Sequence, residues 1–305
     1  MSLKDWIKAR VEAMQARLEP WADRNRLNGA LFEVFMFGLK QAWASLFGAA
    51  MLALLVGTHF VWPRGAPIAR YDFLVLAAVA VQILMLATRL EQWDEALVIL
   101  VFHIVGTLME LFKTAHGSWI YPEPSVLRLG GVPLFSGFMY ASIGSYIART
   151  WRLMDLHYER FPPLWAPWLL AVLSYANFFT HHFAPDLRLG LFAFSALIWW
   201  RTWIQFMPDR KVRRMPLLVS ALLVAVFIWI AENLGTFATA WVYPSQLHHW
   251  APVGPAKIGA WYLLVTLSFV LVTLVRRPTA AAGSPQRSQA ADGLAKRQWL
   301  YQRRL

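Results

Sequence analysis

Two glutamates carry the first chemical signal in the chain. Glu110 ends an almost uninterrupted apolar run, and Glu232 follows Phe227-Ile-Trp-Ile-Ala. A carboxyl in such a setting is costly against lipid, so each must face a bundle interior and find a partner there. Removal from water favours the neutral form of a carboxyl, the state that can act as a general acid. The same aromatic set follows each glutamate: Trp119, Tyr121 and Tyr140 after the first, Trp241, Tyr243 and Tyr262 after the second. Their faces could wall a pocket for an apolar ligand and stabilise a passing carbocation, or they could simply anchor the chain at a membrane interface. His59 and His181 each lie one turn before a proline. With the glutamates they make a two-His, two-Glu set of ligand types that suit Zn, Fe or Mn, although no HExxH or ExxH spacing is present. The expected catalytic residues are therefore Glu110, Glu232, His59 and His181, with the six aromatic residues as substrate contacts. No cofactor or metal is expected; if a metal binds, those four residues are its candidates. The plainer reading of each glutamate is a carboxyl satisfied by Thr, Tyr or Trp that locks two helices together.

These residues recur at one spacing. At an offset of 122, Trp43, His59, Pro63, Glu110, Trp119, Tyr121, Pro122, Pro133 and Tyr140 meet Trp165, His181, Pro185, Glu232, Trp241, Tyr243, Pro244, Pro255 and Tyr262. Thr58/Thr180, Thr114/Thr236 and Gly137/Gly259 follow the same offset. Chance would supply roughly one coincidence among such rare types, so the chain reads as two diverged copies of one unit. The copies differ in ways that could specialise a site. The first has His103, Lys113 and His116; the second has His182, Asp186, Asn233, His248-His249 and Lys257.

The elements that must hold these residues are apolar. Hydrophobic residues make up 58% and charged residues 15% of the chain, against roughly 25% charged in soluble domains. Apolar blocks fall at 41–62, 71–88, 95–113, 132–148, 164–183, 189–207, 216–236 and 255–275, each long enough to cross roughly 30 Å of hydrocarbon as a helix. The expected fold is an all-α membrane protein of about eight transmembrane helices in two parallel four-helix repeats, plus an N-terminal interfacial helix on which Ile7, Val11, Met14 and Leu18 share a face. The expected divisions are a cytoplasmic amphipathic segment 1–40, repeats 41–154 and 155–277, and a disordered basic tail 278–305.

Net charge +12 is distributed by side. Lys4, Lys8, Arg10, Arg17, Arg24 and Arg26 precede the first block; Arg149, Arg152 and Arg160 fall between the fourth and fifth; Arg210, Lys211, Arg213 and Arg214 between the sixth and seventh; and Arg276 and Arg277 follow the last. Alternate connections are poor in cations, with Arg64, Arg70, Arg128 and Arg188 only. The positive-inside bias puts both termini in the cytoplasm, in a bacterial inner membrane. Spans one, three, five and seven then run outward, so the duplicated His, Glu, Trp and Tyr share one non-cytoplasmic depth. The basic charge meets anionic lipid; no nucleic-acid motif accompanies it. With no cysteine in the chain, disulfides and thiolate chemistry are excluded. The first thirty residues read as charged and amphipathic rather than as a cleavable signal.

The run Glu110-Leu-Phe-Lys-Thr-Ala-His-Gly-Ser-Trp-Ile-Tyr-Pro, with Gly130-Gly-Val-Pro-Leu-Phe beyond it, resembles the membrane family catalogued as domain of unknown function 817, over most of residues 30–275. A shorter pattern, touching Glu110, Gly117, Trp119, Tyr121, Gly131, Val132 and Pro133, is similar to integral-membrane carotenoid hydratases and heterodimeric-type lycopene cyclases. Trp119 stands where a Tyr is more usual, and the second copy has Thr239 in place of the Gly. That resemblance implies acid-initiated hydration or cyclisation of an isoprenoid double bond, without a redox cofactor. The partners expected are membrane lipid and a lipid-soluble small molecule. The competing expectations are a transporter or lipid-binding protein and a His/Glu metal-dependent hydrolase or oxidase.

Overall fold

The computed structural model describes residues 3–63, 65–209, 211–275 and 278. Apart from Pro278, the expected tail 278–305 lies outside the described residues. The first two helices are α1 (Leu3–Ala22) and α2 (Arg26–Ala44). Asn25 caps α2, its side chain accepting the Asn28 amide at 2.8 Å, and so satisfies one donor the helix start leaves open. Val11, Met14 and Leu18 of α1 pack against Phe32, Met36 and Leu39 of α2. The apolar stripe expected at a membrane surface is thus largely covered by a second helix, and the division expected at residue 40 falls inside α2.

The helix α3 (Leu46–Val61) follows after a bend of 69°. At the break, the Ser45 hydroxyl donates back to the Gln41 carbonyl at 2.9 Å, a local bond that competes with the helix ladder and bends it. The remaining helices are α4 (Arg70–Ala87), α5 (Trp93–Ala115), α6 (Phe135–Met154), α7 (Trp165–Thr180), α8 (Arg188–Trp199), α9 (Leu217–Phe237) and α10 (Lys257–Val272). A helix therefore lies in each of the eight apolar blocks. Three of them, α4, α5 and α9, are long and apolar enough to cross a membrane, and the bent α2–α3 pair makes a fourth if it is one span. Leu76, Ile83 and Leu84 of α4, Leu100 and Leu108 of α5, and Phe227 of α9 stand exposed, as lipid-facing residues do.

The sixth block departs from its expected helix. Its helix α8 stops after 12 residues, about 18 Å of rise. Trp203–Phe206 (β4) instead pairs with His157–Glu159 (β3) and Arg213–Pro216 (β5) in an antiparallel sheet, with Tyr158 opposite Ile204 and Ile204 opposite Met215. Chain that leaves a helix at the end of a bundle must pair its backbone groups elsewhere, and the sheet does so. A second small ladder joins Arg128–Leu129 (β1) to Val132–Pro133 (β2). The fold is mostly helical rather than wholly so.

Helices α5 and α6 meet through glycines. A Cβ on Gly106 would fall 2.7 Å from Tyr140, and one on Gly144 would fall 2.6 Å from the Phe102 ring. Arg149 and Arg152, placed by the sequence in a connection, lie inside α6. Arg152 pairs with Glu95 at 2.8 Å. Arg149 is fully buried beside Trp43, and its three guanidinium nitrogens have no hydrogen-bond partner among the described residues. Replacing a poorly partnered buried charge by apolar volume is neutral, or stabilising by about 1–4 kcal/mol. Arg149→Met should therefore melt at or above the parent temperature in detergent; a lower midpoint would mean that the acids nearest it, Glu95 and Glu91, require the guanidinium.

The loops at the other end of the bundle are tied together. Arg70 donates to the Ala238 carbonyl at 2.7 Å and pairs with Glu123 at 3.0 Å. Tyr71 donates to the carbonyls of Thr239 and Ala240 at 3.1 and 3.0 Å. Asp72 accepts from Ser125 at 2.8 Å and from the Val126 and Leu127 amides. Between these ties Ile120 and Val242 exchange both backbone hydrogen bonds, each 2.9 Å.

Candidate functional site

Glu110 sits near the end of α5 with 4% of its surface exposed. One oxygen accepts from Trp119 Nε1 and the Tyr121 hydroxyl, both at 2.6 Å, and the other from the Tyr140 hydroxyl at 2.7 Å. Trp119 and Tyr121 come from the loop after α5, and Tyr140 comes from α6. The carboxyl thus fastens the loop to two helices. Burial, with Glu110 adjacent, pushes the Tyr121 hydroxyl well above its ordinary range, so it stays a donor.

Glu232, near the end of α9 and 3% exposed, repeats the arrangement with two changes, in the loop tryptophan and in the donor from the following helix. Tyr243 donates to one oxygen at 2.5 Å, and Trp261 of α10 donates to the other at 2.7 Å. Burial and the neighbouring Glu232 likewise raise the Tyr243 hydroxyl. The two cages abut: the Trp119 and Tyr243 rings meet edge-on at 6.1 Å. The Lys257 ammonium lies 4.3 Å from the Tyr243 ring centre and 5.8 Å from that of Trp119, where ring faces attract a cation.

Both cages open on one cavity of about 960 Å³, at the upper end of the roughly 300–1,000 Å³ typical of ligand pockets. It runs through the bundle from Phe37, Phe206 and Met215, beside the three-stranded sheet, to the opposite helix ends. Its acidic, basic and imidazole residues are Glu110, Lys113, His181, Arg188, Glu232 and Lys257, all at those opposite ends. Leu52, Leu55, Val224, Ile228, Leu264 and Leu267 line the stretch between.

Of the ten residues that the sequence marks, nine line this cavity: Glu110, Glu232, His181, Trp119, Tyr121, Trp241, Tyr243, Tyr140 and Tyr262. Their roles differ. Tyr262 shares a 2.6 Å hydrogen bond with Ser195 rather than reaching Glu232, and Trp241 packs its ring where a side chain on Gly235 would lie. His59 is elsewhere, against Phe60, Phe237 and the Thr239 hydroxyl. His181 has both ring nitrogens engaged, Nδ1 at 2.8 Å from the Asn177 carbonyl and Nε2 at 3.1 Å from Lys113 Nζ. Among the described residues no three His, Cys, Asp or Glu side chains gather as a metal would require. The residue that the sequence reading missed is Trp261. The repeat offset points past it, because its counterpart is Met139.

The loop that leads to the site's arginine, the first residue of α8, is clamped by Asp186. It accepts from Asn177 at 3.1 Å and from the Arg188 amide at 3.0 Å, and pairs with the Arg188 guanidinium. Donation by Arg188 holds the Asp186 carboxyl well below the usual range. A depressed carboxylate contributes stability that is present above the unfolded pKa, about 3.9, and is lost as pH falls through the lower folded value. Asp186→Asn should therefore melt below the parent at neutral pH. The gap should close on acidification below that range, as pH-dependent melting curves would show.

The family described as Protein of unknown function (DUF817) matches residues 33–269. An uncharacterized protein of Bacillus subtilis (strain 168), YoaT, is 41% identical over 248 residues, covering 81% of this chain and 93% of the relative. No solved structure matches. The chain belongs to the DUF817 family.

Proposed function

We propose that the chain is an integral membrane protein that takes an elongated, lipid-soluble molecule, isoprenoid-like in shape, into its cavity and holds one end of it between the two carboxyl cages. The observation that carries this reading is a long cavity with largely apolar walls and its acidic, basic and imidazole groups all at one end. A bundle that only locked helices together would fill that space with side chains, since protein interiors are close-packed. Purification from native membranes followed by solvent extraction and mass spectrometry should recover a lipophilic molecule in near-equal amount with the protein. Ala221→Phe, which puts a ring into the cavity wall, should lower that recovery severalfold. Equal, background recovery from both proteins would refute the reading.

A two-copy architecture with eight membrane-crossing helices and cytoplasmic termini belongs to the same proposal. Several features support it. Helices α5 and α9 end at positions 115 and 237, and α6 and α10 begin at 135 and 257, both pairs at the sequence offset of 122. Ile120 and Val242, which bond to each other in both directions, are also partners at that offset. Reciprocal bonding between equivalent positions is what a two-fold axis between two like units demands.

A chemical reading adds to this one, favoured by the wall of the cavity at Glu232. Its carboxyl has two aromatic donors where Glu110 has three, and so has more room left on its oxygens for the proton that a general acid carries. A proton delivered from Glu232 to an alkene carbon would leave a carbocation beside the Trp119 and Tyr243 faces. Capture by water, with loss of a proton back to the Glu232 carboxylate, completes hydration; capture by an internal double bond moves the cation to a second carbon, and loss of a proton from a neighbouring C–H to the same carboxylate completes cyclisation. Incubating the protein with a linear isoprenoid polyene in D₂O should place deuterium on carbon, and Glu232→Gln should abolish it. Binding without deuterium uptake would leave a lipid carrier and remove the enzyme.

A further inference from the structure

We infer that the molecule held in the cavity carries a single oxyanion head, a carboxylate or phosphate ester on a long apolar chain, and that Lys113 receives it. This rests on the proposed occupancy of the cavity by a lipid-soluble molecule and names its polar end.

Lys113 lies in the last turn of α5, 5% exposed, and lines the cavity. Its ammonium contacts His181 Nε2 at 3.1 Å and His182 Nε2 at 2.8 Å, and lies 4.4 Å from the centre of the Phe178 ring. The tautomer of His181 follows from its other bond. The Asn177 carbonyl can only accept, so Nδ1 carries the proton, and Nε2 offers a lone pair to the ammonium. The partner is thus a neutral imidazole, and a ring face is neutral as well. No carboxylate pairs with Lys113 among the described residues.

The nearby acids are already engaged. Asp186 is held by Arg188, Glu110 by three aromatic donors, and Glu232 by two donors with Lys257 close by. The other neighbouring charges, Lys257 and Arg188, are of the same sign as Lys113. The α5 C-terminus offers a cation only a partial negative charge. A buried ammonium surrounded by neutral groups and like charges is expensive in a bilayer-spanning bundle. An anionic head entering from the cavity would supply the missing counter-ion, with Arg188 at its rim. Only one half of the chain offers this seat, since the residue at the repeat offset from Lys113 is Gly235, covered by Trp241.

The test compares one chain with different heads, on the full protein in phosphatidylcholine nanodiscs. Oleate and oleyl phosphate should each bind at least tenfold more tightly than oleyl alcohol. Lys113→Gln should erase that preference by weakening oleate and oleyl phosphate binding at least tenfold, and Lys113→Arg should retain it. The parent comparison stands even if a variant misfolds. Equal binding of oleate and alcohol by the parent overturns the oxyanion seat but leaves the occupied cavity intact. If no oleyl compound binds, the occupied cavity fails and the seat fails with it. Millimolar inorganic phosphate that displaces oleate and itself binds as tightly would assign the site to a free anion and overturn the amphiphile. A preference of oleyl phosphate over oleate, or the reverse, identifies which head the site serves.

Discussion

Glu110→Leu is expected to be the most damaging single substitution in the chain. It removes the acceptor for Trp119, Tyr121 and Tyr140 at once, leaving three donors without partners at a buried site. An orphaned buried donor costs about 1–3 kcal/mol, so three cost about 3–9 kcal/mol together, a large part of a typical folding free energy of roughly 5–15 kcal/mol. Glu232→Leu frees two donors and should cost less. Thermal unfolding in detergent, followed by tryptophan fluorescence, should rank the melting temperatures parent, then Glu232→Leu, then Glu110→Leu. A Glu110→Leu protein that melts with the parent would show that the cage does not hold the loop to the bundle.

Gly106→Val is the second large effect expected. Any side chain there meets Tyr140 at 2.7 Å, and Tyr140 is held in place by its bond to Glu110. The added methyls must push α5 from α6 or turn Tyr140 away. Overpacking of this kind costs about 1–3 kcal/mol, before the loss of the hydrogen bond. Gly57→Val in α3, where an added Cβ meets nothing within 4 Å, controls for the change of residue type. Gly106→Val should melt well below Gly57→Val and lose recovery of any lipophilic molecule. Matching midpoints for the two would mean that α5 and α6 have room to spare.

The two cages show how much was legible. A glutamate after an apolar run, followed by Trp, Tyr and a later Tyr at fixed distances, pointed to the residues that now line one cavity. The signal worked because a buried carboxyl must have donors, and few residue types near it could supply them. It weakened wherever the two cages differ in detail. Tyr262 reaches Ser195 and leaves Glu232 to Trp261, and no spacing rule distinguishes adjacent residues on α10. His59 fits the offset of 122 but not the site, since its side chain is set against Phe237 and Thr239. In the sixth apolar block composition does not separate strand from helix, since Trp203, Ile204 and Phe206 are apolar in either. Arg149 stands just past the apolar block that closes at 148 and so reads as connection, yet α6 runs on to Met154 and buries it. The isoprenoid expectation came from a short motif, and its substance lies in the experiments above.

The pair Ile120–Val242 carries a consequence for ancestry. On the reading of the chain as two fused copies, these positions are one position met twice, and each donates to and accepts from the other. A single-copy forebear could have made the same two bonds across a homodimer axis, with the two carboxyl cages contributed by separate molecules. Fusion would then have freed each cage to change without the other, as the unequal surroundings of Glu110 and Glu232 illustrate. Separately expressed segments 1–154 and 155–305 should reassemble when co-produced, with the 120–242 contact as the seam.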